Sequence, residues 1–162
     1  MWVGQTLGLS VAQQIIIGLG AIVGHNWSIF LRFTGGRGVG TTLGVVLILP
    51  LINDMSNIPT QVFFGLGIFL LLIIRRSHLP ALIAVTTLPI SSWLAGEPID
   101  TTLAFAAVFA VLVIGRLFAP RAPDVSVGKR ERFINRLLFD RDIRDRKAWM
   151  HRTPVRPEEK KQ

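Results

Sequence analysis

The chain has no cysteine among its 162 residues, which removes disulfides, thiolate metal sites and cysteine nucleophiles from consideration. It says little about compartment. Familiar catalytic signatures are missing as well. No lysine follows Gly40, and the glycine-rich stretch lies between apolar runs rather than after a strand, so it is not a Walker A loop. HExxH and GxSxG are absent. Neither His25 nor His78 has an aspartate five residues on, where Phe30 and Ile83 stand instead. No metal and no cofactor is called for. Charge is also scarce over most of the chain: Ile58–Ile74 has none, and 102–118 has none before its end.

Long apolar runs dominate what is there. A bilayer span needs roughly 20 mainly apolar residues, and 7–31, Ile58–Ile74, 80–96 and 102–118 fit that length with their polar ends included. Val39–Ile52 is a shorter candidate. The N-terminal run is read as a span, because residues 1–6 carry no basic group and no small-residue cleavage site follows. The expectation is an all-α polytopic membrane bundle of about five transmembrane helices in 1–118, with a basic cytoplasmic tail over 119–162.

Charge placement tests this topology, since cytoplasmic loops collect Lys and Arg. With the N-terminus outside, Arg32, Arg37, Arg75, Arg76 and the tail all fall inside, while Asp54, Glu97 and Asp100 fall outside. All 18 basic residues then share one side. Trp27 and Trp93 sit near the expected interfaces. Within the runs, Gly18, Gly20 and Gly24 offer small faces for close packing, and Pro59 opens a span where a missing N–H does no harm. Pro89 is expected to bend the fourth span. The adjacent Gln13 and Gln14 are unusual against lipid and point to contact with another helix.

From Arg116 onward the composition changes, with 14 of the 18 basic residues against seven acids. Around 130–146 the pattern is helical, and Phe133, Ile134, Leu137 and Leu138 form one apolar face. A basic amphipathic helix on an anionic leaflet fits this pattern. Nucleic acid is not expected as a partner, for want of any binding motif. Beyond Arg152 the composition predicts disorder.

The stretch 24–44, GHNWSIFLRFTGGRGVGTTLG, is the centre of the chain. Glycines let successive N–H groups converge, a cation supplies charge, and hydroxyls at a helix start add donors, which together suit a phosphate. Gly35, Gly36, Arg37, Gly38, Gly40, Thr41 and Thr42 supply all three. A glycine-rich turn between packed helices, with arginines reaching to headgroups, is the alternative reading. His25 and Asn26, just before the loop, read as helix-end hydrogen-bonding residues.

Those residues resemble the second signature of the bacterial membrane-integral glycerol-3-phosphate acyltransferases of the PlsY type, which is similar to GHxxPxFLxFKGGKGVATxxG. The leading Gly-His, the Phe-bearing approach, the double glycine and the basic residue coincide. The resemblance implies transfer of an acyl group from acyl phosphate to the 1-hydroxyl of glycerol 3-phosphate, giving lysophosphatidate and phosphate. It implies catalytic places for His25 and Arg37, with His25 orienting, and a phosphate cradle from the loop glycines and threonines. It also implies the bacterial inner membrane as location. The family has seven spans, and these five look like its last five, so a separate N-terminal helical segment is a partner to expect. Arg37 stands where the family usually has Lys, a planar fork for a compact ammonium. In the tail, Arg130 and Phe133 replace the family's His and Asn, leaving Arg130 and Asn135 as the tail's candidate contribution. The competing hypothesis is a non-catalytic membrane scaffold or a phosphate- or lipid-binding remnant.

Overall fold

The computed structural model describes residues 2–31, 35–74, 78–118 and 128–139. The basic residues Arg32, Arg75 and Arg76, the side chains of His78 and Leu138, and the C-terminal stretch expected to be disordered lie outside the described residues. Among the described residues the chain is all helix, with no strand. It divides into two compact units, Met1–Gly115 and Arg116–Gln162.

The run at 7–31 is not one helix. A short α1 (Trp2–Thr6) stops at Gly8, which is left-handed at φ 71°. Ser10 then opens α2 (Val11–Asn26) with a capping box, its hydroxyl accepting from the Gln13 N–H while the Gln13 side chain accepts from the Ser10 N–H. Gln13 is thus a capping residue. Its neighbour Gln14 is 1% exposed and exchanges two hydrogen bonds with Asn53, Nε2 to Oδ1 at 2.8 Å and Nδ2 to Oε1 at 3.1 Å. The helix that Gln14 meets therefore lies within this chain, at the end of α3 (Val39–Ile52), for which Asn53 is the C-cap.

The other long helices are α4 (Ile58–Ile74), α5 (His78–Leu94) and α6 (Ile99–Leu117). Their bounds follow the apolar runs closely. Pro50 and Pro89 lie within α3 and α5, and both helices continue past them. Residues at helical spacing face inward: Ile15 and Ile22 on α2, Val46 and Leu49 on α3, Phe63 on α4, Leu88 on α5, and Phe105, Val108 and Leu112 on α6 form one buried cluster. The opposite faces are apolar too, with Ile17, Leu51, Leu72, Ile73, Trp93 and Leu103 exposed. Only α6 among the described helices is both long and apolar enough to cross a membrane by length and composition.

In the second unit, α7 (Lys129–Phe139) is tied to the end of α6 by a reciprocal pair. Arg116 Nη1 donates to the Leu137 carbonyl at 3.2 Å, and Arg136 Nη1 donates to the Leu117 carbonyl at 2.6 Å. Carbonyls near helix C-termini have no intrahelical donor and carry partial negative charge, so each guanidinium caps the other's helix. Phe133 and Ile134 are exposed on α7, and Leu137 is half-buried.

Candidate functional site

The glycine-rich loop folds back on the end of α2. The Gly35 N–H donates to the Asn26 carbonyl at 3.2 Å, and the Gly36 N–H to the His25 carbonyl at 3.0 Å. The approach is close enough that a Cβ on Gly35 would collide with the His25 carbonyl, and one on Gly36 with the His25 imidazole. His25 is otherwise exposed. The obstacle at position 35 is backbone, so glycine is needed there, whereas at position 36 it is the exposed His25 ring, which a side chain would turn aside.

Gly38 turns the chain into α3. It is the N-cap, left-handed at φ 67°, and as a glycine it offers no side chain to cap the helix. The first amides of α3, at Val39, Gly40 and Thr41, have no preceding turn to bond to, and the helix dipole adds partial positive charge. Thr42 is fully buried, and its hydroxyl donates to the Gly38 carbonyl at 2.9 Å. That leaves Thr41, half-buried, as the hydroxyl on the first turn. Arg37 reaches across to α6, donating through Nη1 to the Gly115 carbonyl at 3.4 Å.

The structure thus gathers His25, Gly35, Gly36, Arg37, Gly38, Gly40, Thr41 and Thr42 at one helix junction. The N–H groups of Gly35 and Gly36 and the hydroxyl of Thr42 already have protein partners, so they shape the loop. The amides of Val39, Gly40 and Thr41 lie on the first turn of α3, beside Arg37, where backbone donors and a cation suit an anion. Arg130 and Asn135 lie in the other unit, on α7, Arg130 exposed and Asn135 5% exposed. Two participants escape a reading by sequence. Gly115 lies 78 residues from Arg37, in a run that signals only packing. Asn26 is buried between the loop and α6, whereas its place at a helix end suggested only a capping role.

An apolar cavity of about 370 Å³ begins beside this junction, lined by Val39 and Leu43 of α3, Phe63, Phe64 and Leu71 of α4, and Ala81 and Val85 of α5. Val39 belongs to both features, since its amide is at the open helix end and its side chain lines the cavity. Such a pair suits a ligand with an anionic head and an apolar tail.

A family profile described as glycerol-3-phosphate acyltransferase matches residues 1–119. The chain belongs to the glycerol-3-phosphate acyltransferase family. Glycerol-3-phosphate acyltransferase 4 of Dehalococcoides mccartyi strain CBDB1 is 37% identical over 153 residues, 90% of this chain and 63% of the relative. Glycerol-3-phosphate acyltransferase 5 of another strain of that species is 36% identical over 160 residues, 94% of this chain and 66% of the relative. Glycerol-3-phosphate acyltransferase 2 of Moorella thermoacetica is 42% identical over 88 residues, 53% of this chain and 41% of that protein. The chain spans just under two thirds of the first two relatives. No solved structure matches it. The matched family region, 1–119, includes the entire glycine-rich loop and the cavity lining.

Proposed function

We propose that this chain transfers a fatty acyl group from acyl phosphate to glycerol 3-phosphate, yielding lysophosphatidate and inorganic phosphate for phospholipid synthesis. The observation that carries this reading is the shared position of Val39, which joins the glycine-started N-terminus of α3 to an apolar cavity. The family and the names of its relatives support it.

In the reaction the 1-hydroxyl oxygen attacks the acyl carbonyl, forming the ester C–O bond. The anhydride C–O bond breaks, its electrons leave with phosphate, and the hydroxyl proton ends on the released phosphate. Both substrates are anions and charge develops on the carbonyl oxygen, so fixed cations and backbone donors serve better than a covalent nucleophile. The amides of Val39, Gly40 and Thr41, the Thr41 hydroxyl and the Arg37 guanidinium hold phosphate in this scheme. Gly35, Gly36 and Thr42 fix the loop, and His25, stacked over Gly36, orients the substrate beside it. The apolar cavity receives the acyl chain.

The site works at a bilayer surface in this reading. Helices apolar on their outer as well as inner faces suit a lipid environment, and α2 to α6 cross it five times with the N-terminus outside and the basic tail in the cytoplasm. The location is the bacterial inner membrane. Membranes containing only this chain test the proposal: radiolabelled palmitoyl phosphate and glycerol 3-phosphate should give labelled lysophosphatidate. A chain that is inserted and folded yet inactive, alone and with N-terminal helices of a relative supplied in trans, contradicts it and favours a binding remnant.

A further inference from the structure

Asn26 ends α2 with its side chain 5% exposed, and among the described residues neither Nδ2 nor Oδ1 has a hydrogen-bond partner. A carboxamide can donate twice and accept twice, and burying one with nothing to bond opposes folding. The backbone of the same residue is well used, since its carbonyl holds the Gly35 N–H at 3.2 Å. The amide is wedged between two glycines. A Cβ on Gly38 would come within 2.8 Å of Oδ1, and a Cβ on Gly115 within 2.9 Å of Nδ2.

The two ends of the amide face complementary helix ends. Oδ1, an acceptor, abuts Gly38, the N-cap of α3, where the first amides have no intrahelical acceptor. Nδ2, a donor, abuts Gly115 in the last turn of α6, where carbonyls have no intrahelical donor and where Arg37 already binds the Gly115 carbonyl at 3.4 Å.

We infer that Asn26 is a positioning residue that couples occupancy of the α3 N-terminus to the last turn of α6, Oδ1 taking a loop amide that the anion does not use and Nδ2 an α6 carbonyl once an anion is bound. The inference rests on the phosphate reading of the loop. It gives a reason for the buried amide of Asn26 and for glycine at both Gly38 and Gly115. Asn26 does not touch the reacting atoms; it acts through the loop.

The test is hydrogen exchange of the full chain in lipid nanodiscs, with and without inorganic phosphate, alongside calorimetric titration of phosphate. In the unsubstituted chain phosphate slows exchange at 38–41 and also at 112–115 of α6. Asn26→Ala weakens phosphate binding about tenfold, the value of one hydrogen bond. At saturating phosphate this variant keeps protection at 38–41 and loses it at 112–115. Asn26→Asp, of the same shape but lacking the Nδ2 donor, loses it likewise. Two-site protection and affinity unchanged in either variant overturn the inference while leaving the phosphate reading intact. Protection confined to 38–41 in the unsubstituted chain overturns it without any variant. Absence of phosphate protection anywhere in that chain overturns both.

Discussion

Gln14 and Asn53, 39 residues apart, bind each other's carboxamides in both directions at 2.8 and 3.1 Å, joining the first turn of α2 to the C-cap of α3. Gln14 Nε2 also donates to the Leu9 carbonyl and Asn53 Nδ2 to the Leu49 carbonyl. The pair therefore satisfies its own polar atoms and fixes the far end of the two helices whose near ends frame the glycine loop.

Removing Gln14 leaves the half-buried Asn53 with its bond to the Leu49 carbonyl but without its cross-helix partner. Gln14→Leu is expected to lower stability by about 1–3 kcal/mol, measured by denaturant or thermal unfolding in a defined detergent. The double replacement Gln14→Leu with Asn53→Leu should recover much of that loss, because no orphaned amide remains.

Glycine is required unequally along the loop. Gly38→Ala forces a side chain into φ 67° and against Asn26 Oδ1, Ile22 and Leu112, which costs about 1–2 kcal/mol for the backbone alone and disturbs the α3 N-terminus. Acyl transfer should fall at least tenfold. Gly40→Ala meets nothing within 4 Å, and should leave activity within about twofold while modestly favouring the helix.

Filling the cavity should change which donors are used. Ala81→Phe places an aromatic ring at the cavity wall and is expected to depress transfer of long acyl chains several-fold more than short ones. Competition between palmitoyl and octanoyl phosphate in one reaction measures the ratio directly.

Much of the fold is legible in the sequence because the apolar runs are punctuated by strong stops. Ile58–Ile74 and Val39–Ile52 emerge with the bounds that their composition implies. The first run misleads, because its hydropathy is continuous while Gly8 and the Ser10 capping box break the backbone within it. Gln14 draws attention as a polar residue among apolar ones, but its partner lies 39 residues on, and nothing local to either residue names the other. The same limit hides the site's detail. That the loop's glycines, Arg37 and threonines come together is legible in their closeness along the chain, whereas the spending of the Thr42 hydroxyl on Gly38 and the reach of Arg37 to Gly115 depend on how α2, α3 and α6 meet.

The central claim is that Arg37 and the open end of α3 hold substrate phosphate for acyl transfer. The most direct measurement is kcat/KM for acyl transfer to glycerol 3-phosphate in the unsubstituted chain, Arg37→Lys and Arg37→Ala, each shown to be folded in the membrane. Loss of a charge-assisted contact of about 1.5–3 kcal/mol predicts a fall of about 10- to 150-fold for Arg37→Ala. Arg37→Lys should retain charge and most of the activity, with an altered KM. Equal kcat/KM in all three would contradict the claim and remove the glycine loop from the chemistry.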